Sequence, residues 1–160
     1  IIKMMDRLKP KSIVVVSSAP QIRYPDCYGI DMAKLEGLVA FRAALDLLKD
    51  RNLYHIVDEV YVKCKQQEDF QDSEVVNFVT EIYAPFQPQE ISDKIAELLS
   101  SPEINAEVKI IFQTVENLHI ACPKNLGDWY FTGDYPTPGG NRVVNKAFMN
   151  FYEGKDARAY

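Results

Sequence analysis

A short apolar run near the N-terminus, Ile-Val-Val-Val at 13–16, constrains the fold more than any other feature of the chain. A helical pattern over residues 1–9 precedes it, and a loop rich in Ser, Pro and Gly follows it. Such a run is typical of a strand that helices cover on both faces. We therefore predict a buried strand at 12–17 in an α/β domain. Because ligands of open α/β sheets bind beyond the carboxyl ends of strands, the loop at 18–31 is the first candidate site.

The composition is that of a soluble globular protein. The 160 residues, 47% of them hydrophobic and 26% charged, suffice for one domain with a sizeable core. The net charge of −5 argues against a nucleic-acid partner, which would require a basic patch. The apolar runs are too short to predict a membrane span. Three widely spaced cysteines, Cys27, Cys64 and Cys122, lack the spacing of metal ligands, so we expect reduced thiols and a cytoplasmic protein.

Hydrophobic periodicity predicts a second strand and several helices after the loop. The second strand is expected at 108–112, and residues 123–140 are expected to be irregular. Helices are expected from a cap at Asp31 to about residue 50, and at 53–66, 74–83, 88–99, 114–122 and 143–152. The chain opens in a helical pattern without a cap or an initiator Met, so we expect it to be a piece of a longer protein.

Residue types alone assign little chemistry. His55 and His119 lie in helical patterns without a third group at a telling spacing, and are interpreted as surface or packing residues. Ser17 and its neighbour lack the Gly-x-Ser-x-Gly frame of a nucleophile, so a role in a turn is favoured. Gly139 and Gly140 before a helix are a weak anion-site signal, with a flexible turn as the simpler interpretation. These patterns therefore predict an α/β domain with a ligand-facing loop.

Two longer motifs extend this interpretation. Residues 17–32, Ser-Ser-Ala-Pro-Gln-Ile-Arg-Tyr-Pro-Asp-Cys-Tyr-Gly-Ile-Asp-Met, closely resemble a segment of the glutamine phosphoribosylpyrophosphate amidotransferase family. That segment reads roughly Ser-x-x-Pro-x-Ile-x-x-Pro-x-x-Tyr-Gly-Ile-Asp. Residues 131–137, Phe-Thr-Gly-Asp-Tyr-Pro-Thr, resemble the C-terminal Phe-Thr-Gly-x-Tyr-Pro-Thr of the family. Residues 104–112 are more weakly similar to a family strand, and all three segments occur in the family's order.

The resemblance implies a fold and a division of the chain. The fold would be a partial Rossmann-like type I phosphoribosyltransferase domain with few parallel strands and a large helical insertion. Residues 1–44 would form the C-terminal half of the core, residues 45–100 the insertion, and residues 101–160 the last strand, a helix and a C-terminal extension.

The resemblance also implies an activity for the longer protein. Family enzymes make 5-phosphoribosylamine from phosphoribosyl pyrophosphate and glutamine, which is the first committed step of purine synthesis. Such a parent would bind Mg²⁺, phosphoribosyl pyrophosphate and purine nucleotides, and would form a homo-oligomer. The family's paired-Asp phosphoribosyl motif and its glutaminase cysteine are absent from this sequence. We therefore assign no catalytic residue and no resident cofactor here, and expect this chain to be inactive alone.

The resemblance implies roles for residues that match functional positions of the family. Leu38 matches a leucine that lines the ammonia channel between the two active sites, although a simple core role for Leu38 is equally open. Five loop residues are weaker candidates near the nucleotide pocket, namely Ser17, Ser18, Ala19, Pro20 and Arg23.

The sequence departs from the family at two places. Many members hold an iron–sulfur cluster through cysteines at the positions of Gly127 and Tyr130, with a further cysteine at Asp26. None of the three is cysteine here, so we expect no cluster. The long helical stretch at 45–100 is the second departure. It motivates an alternative function, a non-catalytic helical interaction or regulatory module built on an α/β remnant.

Overall fold

The computed structural model describes residues 1–29, 32–124 and 127–159. The fold is mixed α/β, with helices predominating. The strands are β1 (Ser12–Ser17) and β2 (Glu107–Phe112). The helices are α1 (Ile2–Asp6), α2 (Val39–Asp50), α3 (His55–Gln66), α4 (Pro88–Leu99), α5 (Val115–Ala121), α6 (Trp129–Thr132) and α7 (Pro138–Tyr152). Short 3-10 turns lie at Leu35–Gly37, Asp72–Glu74 and Phe78–Ile82.

The two strands form a parallel sheet, which confirms both strand predictions. Ile13 pairs with Val108 and Val15 with Ile110, so their carboxyl ends meet at one edge of the sheet. A parallel pair requires a long crossover connection between its strands. Here the crossover contains α2, α3 and α4, and α4 packs against β2.

The prediction that β1 is buried on both faces is wrong. Of its four apolar residues only Ile13 is buried, at 1% exposure, whereas Val14 and Val16 are 49% and 70% exposed. Side chains alternate across a strand, so Val14 and Val16 lie on the face opposite to Ile13. Ile111 of β2, the pairing partner of Val16, is 53% exposed on the same outer face. The apolar run therefore supplies one core residue and a partly uncovered apolar surface.

The hydrophobic core lies between the inner face of the sheet and the helices. It is one cluster that draws on all three predicted segments of the chain. Its members include Phe41 of α2, Val57 of α3, Ile91 of α4, Ile110 of β2 and Phe148 of α7. The rings of Phe41 and Phe148 meet edge to face with centroids 6.3 Å apart.

Local polar contacts fix two helix starts at or within one residue of the predicted positions. Pro88 is the first residue of α4, where its missing N–H costs nothing, and the backbone N–H of Gln87 donates to Glu90 Oε2 at 2.7 Å. The Thr114 hydroxyl accepts from the N–H of Asn117 at 3.1 Å and caps α5. The prediction of α3 at 53–66 is also confirmed, with His55–Gln66 observed.

The predicted helix at 74–83 is wrong over its first half. Val75 and Asn77 have extended backbone, and only a 3-10 turn follows. The Gln67 side chain explains the difference, because its amide donates to Val76 O at 3.1 Å and accepts from Val76 N at 2.8 Å. A side chain that satisfies both backbone groups of one residue competes with helix formation.

Three other boundaries differ from prediction. The helix expected from residue 31 begins only at Val39, because Leu38 is extended; its expected cap, Asp31, lies outside the described residues. The last helix begins at Pro138 instead of residue 143, since proline suits the first helical position. One helical turn, α6, interrupts the segment expected to be irregular. Within the described residues, no helix has both the length and the apolar character required to cross a bilayer.

The unequal burial of Ile13 and Val16 makes a direct stability prediction. Ile13→Ala should lower the free energy of unfolding by about 2–5 kcal/mol, because it leaves a cavity in the core. Val16→Ala, the matched control on the outer face of the same strand, should cost less than about 1 kcal/mol. Urea denaturation of the 160-residue protein measures both values. Equal losses for the two variants would contradict the one-sided burial.

Candidate functional site

The loop after β1 lies against the segment that carries the second motif. The backbone N–H groups of Arg23 and Tyr24 both donate to the carbonyl of Tyr130, at 2.8 and 3.1 Å. The hydroxyl of Tyr135 donates to the carbonyl of Pro25 at 2.6 Å. Residues of the two longer sequence motifs, at 17–32 and 131–137, are therefore neighbours in the fold.

A buried carboxylate adds a side-chain contact between the same two segments. Asp26 is fully buried, and its Oδ1 accepts from the hydroxyl of Tyr130 at 2.6 Å. Its Oδ2 accepts from the backbone N–H of Tyr28 at 2.8 Å. Burial, and then the bond to Asp26, raise the pKa of Tyr130 to about 12. The phenol therefore stays protonated, and able to donate, throughout the physiological pH range.

Gly133 of the second motif is required by its conformation and by its neighbours. Its φ of +81° lies in the left-handed region that side chains disfavour. A Cβ there would lie 2.7 Å from Asn77 Nδ2 and 2.9 Å from the ring of Tyr24. Its carbonyl accepts from Asn77 Nδ2 at 3.1 Å. Glycine thus allows the segment after α6 to approach the loop and the Asn77 turn closely.

A cleft of about 490 Å³ opens at the carboxyl ends of the two strands. The loop contributes Pro20 and Arg23 to its lining, α4 contributes Ser92, and the end of β2 contributes Phe112 and Gln113. This volume falls in the range of small-molecule sites, about 300–1,000 Å³. The position agrees with the rule that ligands bind beyond the carboxyl ends of strands.

Within the cleft, Arg23 is held by a buried glutamine. The Oε1 atom of Gln21 accepts from Arg23 Nε at 3.1 Å and from Arg23 Nη2 at 2.8 Å. The amide nitrogen of Gln21 donates in turn to Pro88 O at 2.7 Å and to Ser92 Oγ at 2.8 Å. A chain of hydrogen bonds therefore runs from the first turns of α4 to the guanidinium group.

A second, smaller cleft of about 280 Å³ lies between α3 and α7. Its lining includes the buried Cys64. Burial raises the pKa of the Cys64 thiol to about 12. A thiol with so high a pKa is not a nucleophile near neutral pH, which agrees with the structural role predicted for it.

The structure divides the predicted loop residues into two groups. Pro20 and Arg23 line the cleft, whereas Ser17, Ser18 and Ala19 are not part of its lining. The Ser17 hydroxyl donates to Ala19 O at 2.9 Å and accepts from Ala19 N at 3.2 Å. Ser17 therefore has the role in a turn that the sequence predicts. Leu38 is buried at 8% exposure in the hydrophobic core and lines neither cleft.

The two histidines and the Gly139–Gly140 pair line neither cleft. His55 is exposed at the start of α3, and His119 Nε2 lies 2.8 Å from Asp128 Oδ2, a partner that its sequence spacing did not reveal. Gly139 and Gly140 lie in the first turn of α7 rather than in a flexible turn. A Cβ on Gly140 would lie 2.4 Å from the side chain of Tyr135, so close packing explains that glycine.

Sequence reasoning missed the role of α4 at the site. Gln21 lies in the loop that the sequence selected as a candidate site, but its partners Pro88 and Ser92 are about seventy positions away and belong to no motif. One signal was available in principle, since a small polar residue on the apolar face of a helix requires a hydrogen-bond partner. Across residues 1–29, 32–124 and 127–159 there is no cluster of three or more His, Cys, Asp or Glu that could hold a metal ion.

Comparisons with known proteins identify no relative. No protein-family model, curated protein or solved structure matches the chain.

The buried contact between Asp26 and Tyr130 predicts an effect on stability. Tyr130→Phe should lower the free energy of unfolding by about 1–3 kcal/mol, because it leaves a buried carboxylate oxygen without that donor. Tyr28→Phe is the matched control, since this ring lies in the same loop and is 57% exposed. Chemical denaturation measures both variants, and similar small losses for the two would show that the Tyr130 bond contributes nothing.

Proposed function

We propose that this chain is the C-terminal part of the phosphoribosyltransferase domain of a glutamine phosphoribosylpyrophosphate amidotransferase. The whole protein would make 5-phosphoribosylamine from phosphoribosyl pyrophosphate and glutamine in the cytoplasm. The observation that carries the proposal is the 2.6 Å hydrogen bond between Asp26 and Tyr130.

This contact matters because of what occupies the same positions in the family. Asp26 and Tyr130 match two positions at which many members carry cysteines of one iron–sulfur cluster. Ligands of one cluster must be neighbours in space. Here the two matching residues are 104 positions apart in sequence and are directly bonded. A side-chain hydrogen bond thus connects the two segments that a cluster would connect in those relatives.

The surroundings of the loop are compatible with a type I phosphoribosyltransferase fold. Residues 18–29 follow the carboxyl end of a parallel strand, where such folds bind their ligands. Parallel sheets are normally covered on both faces. The exposed outer face, with Val14, Val16 and Ile111, is therefore the surface on which we place the rest of the domain.

In this proposal the chain supplies one wall of the nucleotide pocket and no catalytic residue. Mg²⁺ and the phosphates of phosphoribosyl pyrophosphate would be bound by the paired-Asp motif elsewhere in the parent. Pro20 and Arg23 are the loop residues best placed to contact a nucleotide, because both line the cleft. The homo-oligomer expected of the parent belongs to the same proposal.

The proposal is tested by comparing the whole gene product with the 160-residue chain. The whole product should release pyrophosphate from phosphoribosyl pyrophosphate only when glutamine or ammonia is added, and the chain alone should release none. An inactive whole product would reject the enzyme assignment and favour the non-catalytic helical module. Turnover by the isolated chain would reject its assignment as an incomplete domain.

Leu38→Ala in the whole product tests the channel role. An apolar wall keeps neutral ammonia from water, so a smaller side chain should let ammonia escape. Glutamate formation should then exceed phosphoribosylamine formation, whereas the wild type should yield equal amounts. Leu35→Ala is the matched control, because Leu35 is also buried in the same core, at 1% exposure against 8% for Leu38. If Leu38→Ala still formed the two products in equal amounts, or if both variants lost this equality to the same extent, the channel role would be rejected and Leu38 would have a core role only.

A further inference from the structure

We propose that Arg23 binds the oxyanion of a small organic ligand, a phosphate or a carboxylate, in the cleft between the strand ends and α4. The inference deepens the proposed function and rests on it in one respect, that the loop after β1 is a ligand-binding loop.

The guanidinium of Arg23 has one edge occupied and one edge available. A guanidinium carries five N–H donors in a rigid, planar, permanently charged group. Gln21 Oε1 accepts from Nε and Nη2 along one edge. The edge formed by Nη1 and Nη2 has no partner among the described residues. That edge presents two parallel N–H bonds, which is the geometry that binds a carboxylate or phosphate through two oxygens.

No ion pair among the described residues neutralises Arg23, and Glu116 is the one other charged residue in the described lining of the cleft. Arg51, whose guanidinium also lies over an aromatic ring, by contrast pairs with Glu90. Gln21 is neutral, so it orients the guanidinium without cancelling its charge. Because opposite charges attract over a distance of several ångströms, an unneutralised guanidinium in a cleft attracts an anion.

Three contacts immobilise Arg23 before any ligand arrives. The guanidinium carbon lies 5.4 Å from the centre of the Tyr83 ring, in a cation–π arrangement. The Tyr83 hydroxyl donates to the carbonyl of Arg23 at 2.6 Å. Gln21, only 4% exposed, is itself fixed by Pro88 and Ser92 of α4. Immobilisation in advance reduces the entropy that binding must overcome.

The rest of the cleft indicates the size and character of the ligand. Phe112 and Phe131 provide apolar walls, and Gln113 and Thr114 provide polar side chains at the end of β2. Glu116, the other charged residue of the lining, is an acceptor. A ligand with an oxyanion, an apolar or ring portion and N–H or O–H donors therefore fits better than an inorganic ion.

Calorimetric titration of the 160-residue protein tests the inference with three probes. AMP represents the phosphate form, L-glutamate the carboxylate form, and adenosine lacks an oxyanion. AMP or glutamate should bind more tightly than adenosine, and the tighter of the two identifies the oxyanion. Arg23→Gln should weaken that binding about tenfold or more, since a hydrogen bond to a charged group is lost. Higher salt should weaken it in the wild type.

A second variant and a matched control complete the design. Gln21→Glu keeps Arg23 but adds a carboxylate beside it, so it should weaken oxyanion binding as strongly. Arg51→Gln should leave binding unchanged, because Arg51 lies over the Phe86 ring and pairs with Glu90 outside the cleft lining. Circular dichroism checks that each variant folds.

The outcomes separate this inference from the proposed function. No binding of AMP or glutamate, or equal binding by wild type and both cleft variants, would overturn it. If binding failed while the whole gene product turned over phosphoribosyl pyrophosphate, only this inference would be rejected. If binding and its dependence on Arg23 held while turnover was absent, only the enzyme assignment would be rejected.

Discussion

Three tyrosine hydroxyls hold the loop after β1, and the geometry of the cleft depends on them. Tyr83, Tyr130 and Tyr135 donate to the Arg23 carbonyl, the Asp26 carboxylate and the Pro25 carbonyl, each at 2.6 Å. A loop without regular structure must find partners for its buried acceptors, since an unpaired one is costly. Burial raises the pKa of each of these three tyrosines, so all three remain donors at physiological pH. These bonds hold residues 18–29, the described part of the loop, which has no regular secondary structure.

The helical stretch at 45–100 takes part in this arrangement instead of standing apart from it. Tyr83 comes from this stretch, as does Ser92, which positions Gln21 and hence Arg23. Residues from α2, α3 and α4 also share one core with the sheet and α7. A change in the packing of α4 would therefore displace the guanidinium directly. If the stretch is an insertion, it is one that shapes the cleft.

Sequence patterns predicted the elements whose signals are local. The strands, α3, α4 and α5 follow apolar periodicity and caps that lie within a few residues of them. The prediction of a helix at 74–83 failed because the side chain of Gln67, 9 positions before Val76, pairs with the backbone of Val76. The prediction that β1 is buried on both faces failed because an apolar run indicates a strand but does not indicate whether helices cover one face of it or both. At the site, Arg23 could be selected from its motif, whereas Ser92 could not, because only the folded chain brings it to Gln21.

The same physical distinction separates the contacts of the loops from those of the helical core. Residues 17–29 and 131–137 are fixed by directional contacts, such as the Asp26–Tyr130 bond and the close approach at Gly133, and few other residue types satisfy them. Helix positions in the core must instead be apolar and of about the right volume, a condition that several side chains meet. Two related chains can therefore differ throughout their helices while sharing the loops. The residue types that these loop contacts allow are therefore more restricted than those that the helical core allows.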